Sequence, residues 1–280
     1  LQIRFCGVRG SLPAPGIEFV RYGGHTSCLA LSHDGATAPT LLLDAGAGLM
    51  AVSAVLDGAP FTGTILLSHL HWDHVHGLPF FAAADRADAR ASVLLPEQDG
   101  GQDATGVLAG LMAPPYFPIK PTELRGSWTF DTIAAGESEI EGFDVLSREI
   151  PHKGGRTFGY RISDGHSTLT YMPDHSPTSI GPGRDGFGEY HPAAVELARD
   201  ADVLVHDAQL FPEDFAAEGS FGHSVADYPV GLGKHAGTRA VVLFHHRTAR
   251  TDEELDGLAR RFSGASPHVS VATEGTVLEL

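Results

Sequence analysis

The sequence predicts an α/β sandwich, two β-sheets packed face to face with helices outside. Three observations predict it. The chain runs through strand-like hairpin segments, then helices, and then repeats that order. Apolar runs such as Thr64–Leu67 and Ala240–Phe244 have the length and composition of buried strands. The 34 glycines and 18 prolines are spread along the chain as short connections. No linker divides it, so residues 1–280 are expected to form a single domain.

Taken in order, Leu1–Val8 alternates loosely and reads as a strand. Cys28–Ser32 and Thr40–Leu43 are strand-like, and the second ends in Asp44. Ala45–Leu56 suits a short helix. Thr64–Leu67 is a buried strand that runs into Ser68 and His69. Leu78–Asp88 is expected to be helical, Ala91–Leu95 a strand, and Gln102–Met112 a helix. The prolines of 114–121 require extended backbone. Strands are expected at Ser127–Phe130, Phe143–Glu149, Arg156–Ile162 and Thr168–Met172. Pro192–Arg199 reads as a helix with proline in its first turn. Val203–His206 and Ala240–Phe244 are buried strands, Asp252–Phe262 is a helix, and Val269–Ala272 and Val277–Leu280 close the chain. Ser176–Tyr190 is the most loop-like stretch and is read as an active-site loop.

Composition narrows the function. The formal net charge is −16. Long nucleic acids bind through Lys and Arg that displace counterions, so such a partner is disfavoured. Cys6 and Cys28 are too few for a disulfide framework and are expected to be buried thiols. No apolar run reaches the ~20 residues that span a bilayer. The start LQIRF shows no basic-then-apolar leader and no initiator Met, which suggests a processed start and a cytoplasmic protein.

The chemistry is concentrated in His69-Leu70-His71-Trp72-Asp73-His74. Three imidazoles and a carboxylate directly after a buried strand are costly to bury without a partner. They are also the donors that borderline metals such as zinc prefer. In an extended start His69 and His71 share one face. Asp73 and His74 follow after the chain turns and can face a second ion. The spacing does not match the helical HExxH type of site.

HLHWDH resembles the HxHxDH signature of the metallo-β-lactamase fold, a four-layer αββα sandwich. The opening FCGVRGSLPAPG…RYGGHTSC and the strand end LLLDAGAG are similar to the branch that holds ribonuclease Z and the bacterial cyclic phosphodiesterases of phosphonate metabolism. The resemblance runs from Ile3 to about Leu255. It implies two divalent ions, zinc by default with manganese or iron as alternatives. His152 would complete a first site with His69 and His71, and Asp174 would bridge. His245 would complete a second with Asp73 and His74, with His246 the alternative. His223, in a Gly-His-Ser motif, would be the general acid. Asp207 would orient it, and Asp73 would also accept a hydrogen bond from the attacking water. His25, where the branch usually has Asn, is expected to be a hydrogen-bonded structural residue.

The implied activity is hydrolysis of a small phosphodiester, a cyclic phosphate or nucleotide, by a hydroxide shared between the ions. Tyr116, Phe117, Phe187 and Tyr190 are candidate rim aromatics that could stack a base. A tRNA 3′-processing nuclease is the alternative, against which stand the charge and the lack of a basic, Gly-rich arm. A lactonase, thioesterase or β-lactamase-like hydrolase shares the first motif. A metal-binding sensor, a structural protein or a non-hydrolytic di-iron protein is the non-hydrolytic reading. Retention of His71 and His74 favours hydrolysis. A homodimer is compatible with all of these.

Overall fold

The structure, a computed structural model, describes residues 1–36 and 38–280. Among them the first half of the chain supplies β1 (Gln2–Gly7), β2 (Cys28–Ser32), β3 (Leu41–Leu43), α1 (Leu49–Val55), β4 (Thr62–Leu66), α2 (Trp72–Val75), β5 (Arg90–Pro96), α3 (Ala104–Ala109) and β6 (Ser127–Ile133). The second half supplies β7 (Gly136–Ile140), β8 (Phe143–Glu149), β9 (Phe158–Ser163), β10 (Thr168–Met172), α4 (Pro192–Ala198), β11 (Val203–Asp207), α5 (Phe215–Glu218), α6 (Asp227–Ala236), β12 (Ala240–Phe244), α7 (Asp252–Arg261), β13 (His268–Val271) and β14 (Val277–Glu279).

The strands form two mixed sheets, ordered β14-β1-β2-β3-β4-β5-β6 and β13-β12-β11-β10-β9-β8-β7. Side-chain alternation places them. In β12, Val242 and Phe244 enter the cluster between the sheets, while Val241 and Leu243 face the helices outside. Leu66 and Leu67 divide the same way in the other sheet. Leu49 and Val52 of α1 and Leu108 of α3 cover the outer face of the first sheet. Leu197 of α4, Leu232 of α6 and Leu255 and Leu258 of α7 cover the second. The fold is the expected four-layer αββα sandwich.

This topology gathers the site at one edge. β3 and β4 run parallel, as do β10, β11 and β12. β8 is antiparallel to β9, and β9 to β10, so β8 ends beside them. Asp44, His69, His152, Asp174, Asp207 and His245 all lie at or just beyond the carboxyl ends of these strands, where open α/β sheets place their ligands.

A local expectation is corrected, and two elements were not foreseen. Leu78–Asp88 is not a helix; a 3-10 turn at Leu78–Phe80 gives way to turns. Pro79 lacks the N–H a continuing helix needs, and Phe81 and Ala84 reach the core from the turns. The edge strand β7 carries exposed Glu137, Ser138 and Glu139, so no apolar run announced it. The helix α6 was masked by Pro229, Gly231 and Gly233. Pro229 sits in its first turn, where proline is tolerated. A Cβ on Gly233 would lie 2.6 Å from a Val241 methyl, so the helix can approach β12 closely because of that glycine.

His25 is the expected structural residue. Its ring nitrogen Nδ1 lies 3.1 Å from Glu274 Oε2, and its backbone N–H donates to the same carboxylate. The Glu274 hydrogen bond raises the His25 pKa above 6.5 against its part burial. A raised folded-state value stabilises the fold fully below the unfolded pKa, and that stability is lost as pH rises through the folded value. Glu274→Gln is therefore expected to lower Tm more at pH 5.5 than at pH 9. Equal losses at both pH values would show that the ion pair contributes nothing.

Candidate metal centre

The cluster is built on Asp44, which the sequence reading assigned no role. Fully buried and with φ 60, it ends the run after β3. Its Oδ1 accepts the Ser68 backbone N–H at 2.7 Å. Its Oδ2 accepts from Ser68 Oγ at 2.9 Å and Tyr171 Oη at 2.7 Å, and lies 2.7 Å from His74 Nδ1. One carboxylate thus sets the turn into the histidine motif and the orientation of His74. The only trace in the sequence was an acidic residue closing the apolar strand LLL.

The other predicted residues converge. One donor atom each from His69, His71, His152 and Asp174 lie within 4.8 Å of one another, as do those of Asp73, His74 and His245. A third set, Asp174, His223 and His245, overlaps both. His71 Nδ1 is 3.2 Å from His152 Nε2, whose other nitrogen lies 2.8 Å from the Gly222 carbonyl. His245 Nε2 is 3.2 Å from His74 Nε2 and 3.1 Å from Asp73 Oδ2. Asp73 Oδ2 also accepts the Ser11 N–H at 2.6 Å.

His245 and not His246 enters this cluster. His245 has φ 58, which breaks the alternation of β12. His246 is instead buried with Nε2 at 2.9 Å from the Ala272 carbonyl. Gly10 lies flat against the His245 ring, since a Cβ there would be 2.3 Å from Nδ1.

The donor set fits cations. Asp44, Asp73, Asp174 and Asp207 are all buried, and among the described residues their ion-pair partners are histidines and no Lys or Arg. The buried atoms His69 Nε2 and Asp174 Oδ2 have no hydrogen-bond partner among the described residues. Asp174 Oδ2 does lie 2.9 Å from His74 Nε2 and 3.2 Å from His245 Nε2, but without the angles of a hydrogen bond.

Electrostatics agree. Burial holds the His69 and His71 pKa values down and takes His152 to about 4. Burial opposes charge on Asp73, yet His74 and His245 outweigh it and keep that carboxylate ionised. Asp174 is held low in the same way by His245, His74 and His69. Neutral imidazoles and ionised carboxylates are the state a metal ion requires. His74 is the exception. Burial disfavours its charge, but Asp73, Asp174 and Asp44 raise its pKa well above 6.5.

His223 stands at the mouth. Its Nδ1 is 3.1 Å from Asp207 Oδ2 and 3.5 Å from Asp174 Oδ1. Asp207 is fixed by the backbone N–H groups of His175, Gln209 and Ser224 at 3.0–3.2 Å. Burial lowers the His223 pKa, and the Asp207, Asp174 and Asp73 carboxylates more than offset this, bringing it to about 9. His223 shares an open cleft of about 380 Å³ with Ser11, Leu70, His71, Trp72, Asp73 and Asp174. Phe187 and Tyr190 do not line it. They pack on Phe215 and on Tyr228 and line a separate cavity, so the loop aromatics expected at the rim are corrected.

Both cysteines are buried and unpaired. Among the described residues no helix is long and apolar enough to cross a membrane.

Comparison with known proteins follows the same lines. A family model described as the Beta-lactamase superfamily domain matches residues 40–246. Over its full length the chain is similar to a Ribonuclease Z of Gemmatimonas aurantiaca, 24% identical and covering 96% of that protein. It superimposes on the metallo-beta-lactamase fold protein YhfI from Bacillus subtilis with a TM-score of 0.71, at 18% identity over 99% of each chain. Zinc-bound PqqB from Methylobacterium extorquens gives a TM-score of 0.67, at 17% identity over 100% of each chain.

Proposed function

The chain belongs to the beta-lactamase superfamily, and from that premise we propose that it is a metal-dependent hydrolase of small phosphodiesters, working as one unit across residues 1–280. The observation that carries this is the meeting of two donor sets around Asp174 with a carboxylate-held His223 beside them. The similarity to a protein named Ribonuclease Z supports phosphodiesters as the substrate class.

In this reading His69, His71, His152 and Asp174 would hold one divalent cation and Asp73, His74 and His245 a second, with Asp174 also close to His74 and His245. Imidazole and carboxylate donors suit zinc first, with manganese and iron next. Bound cations would supply Lewis acidity toward phosphate oxygens and lower the pKa of water toward neutrality. Asp73, held by the Ser11 N–H, accepts a hydrogen bond from the attacking water. Asp207 holds the Nδ1–H of His223 and so presents Nε2 for proton transfer to the leaving oxygen.

A small substrate is favoured because among the described residues no Lys or Arg lines the cleft, and the chain carries a net charge of −16. A tRNA-processing nuclease is the second reading, favoured by the full-length similarity to Ribonuclease Z. Turnover of bis-p-nitrophenyl phosphate, 2′,3′- and 3′,5′-cyclic nucleotides, a precursor tRNA, nitrocefin and a lactone, each with Zn and Mn, decides between them. Diester turnover without tRNA cleavage is expected. Activity on nitrocefin or the lactone alone would overturn the phosphodiester reading.

A further inference from the structure

We propose that the apolar cavity beside the metal cleft is a subsite for an uncharged aromatic group carried by the phosphodiester, an inference that rests on the diesterase reading above. The cavity measures about 590 Å³, within the range of small-molecule sites. Trp72, Leu78, Phe80, Leu111, Met112 and Phe117 form half of its wall, and no Asp, Glu, Lys or Arg lines it among the described residues. That composition rejects a charged group, because a charge there would be desolvated without a partner.

Its position ties it to the reacting phosphate. Trp72 lines both this cavity and the metal cleft, and it directly follows His71 in the chain. A phosphodiester held at the donor cluster therefore has one substituent within reach of the indole. Trp72 is 73% exposed and Phe80 58% exposed, which is apolar surface that a soluble chain leaves open mainly for a ligand. Phe80 meets Phe117 edge-on, with centroids 5.9 Å apart, so these rings brace each other at the wall.

The wall favours a plain aromatic over a nucleobase. Its titratable side chains are Tyr116, which is mostly exposed, and His76, whose Nδ1 already lies 2.6 Å from the Trp72 carbonyl. The polar edge of a base would find few partners, and leaving it unpaired costs affinity. A phenyl ring loses nothing there and gains stacking and burial.

Calorimetry on the zinc-loaded protein tests this with phenylphosphonate, methylphosphonate and thymidine 5′-monophosphate. Phenylphosphonate is expected to bind at least about tenfold tighter than methylphosphonate, the preference that burying one ring supplies, and tighter than the nucleotide. Leu111→Glu and Phe80→Ala are each expected to remove most of that preference and leave methylphosphonate affinity unchanged. Phe80 is exposed, so its truncation keeps the test valid if Leu111→Glu fails to fold. Equal phenyl and methyl affinities, or tightest binding of the nucleotide, overturn the aromatic subsite and leave the diesterase reading standing. A concentration-dependent dimer abolished by Phe80→Ala overturns it too, assigning the patch to a second copy. Hydrolysis of no diester in the substrate screen overturns the diesterase reading, and the subsite with it.

Discussion

Asp174→Asn is expected to lower bound metal from two equivalents to at most one and to reduce diester kcat/KM by about 10²–10⁴. The substitution keeps shape and removes a charge that belongs to the first donor set and lies 2.9 Å and 3.2 Å from His74 and His245 of the second. A bound cation supplies several kcal/mol of transition-state charge stabilisation, and about 3–5 kcal/mol corresponds to that range of rate. A second readout is independent of turnover. Ligand binding to the folded state raises stability by about 4 kcal/mol at a thousand times Kd. Added zinc should therefore raise the wild-type Tm strongly and the variant's little. In the metal-free state the variant should melt somewhat lower than wild type, because the Asp174 carboxylate lies 2.9 Å from His74 and 3.2 Å from His245. Retention of two metal equivalents by Asp174→Asn would remove the basis for the shared site.

His223→Ala is expected to reduce kcat by about 10²–10⁴ on diesters with alkoxide leaving groups, the usual contribution of a positioned acid. Bound metal should stay unchanged, while Tm should fall because buried Asp207 loses its imidazole partner. The loss should be small for p-nitrophenyl esters, whose leaving group departs as a stable anion without a proton. Asp207→Asn should reproduce the pattern more weakly. An amide can donate to Nδ1, which fixes the imidazole in the wrong tautomer. A fall in metal content in His223→Ala would instead make His223 a ligand, as the third donor set of Asp174, His223 and His245 permits. Equal losses for both leaving-group classes would exclude the acid role.

Much of this centre was legible because its residues follow apolar strands. A buried strand that ends in His or Asp must place that polar group at the sheet edge, where a partner has to be found. His69, His152, Asp174, Asp207 and His245 all carried that signal. Asp44 carried it too, but a single acid with no neighbouring donor in sequence gives no hint of its partners. Ser68, His74 and Tyr171 reach it from 24, 30 and 127 residues away. The choice between His245 and His246 was likewise not local. A positive φ and the Ala272 carbonyl settle which ring faces the cluster.

The same division holds for the surface. Tyr116 and Phe117 could be read as rim aromatics, but not their meeting with Trp72 and Phe80 across a chain separation of more than thirty residues. Phe187 and Tyr190 looked equivalent to them and instead pack on the α5 and α6 helices.

By itself the sequence indicated the two-sheet sandwich and the donor candidates of the first histidine motif, and the family resemblance added the rest. Hydrophobic periodicity and side-chain chemistry are properties of a residue and its near neighbours. Only the tertiary structure decided which donors share one space, that Asp44 holds His74, and that Trp72 lines both the cleft and an apolar cavity. Those facts depend on strand order and on backbone turns at the sheet edge, which bring together residues that no local pattern relates.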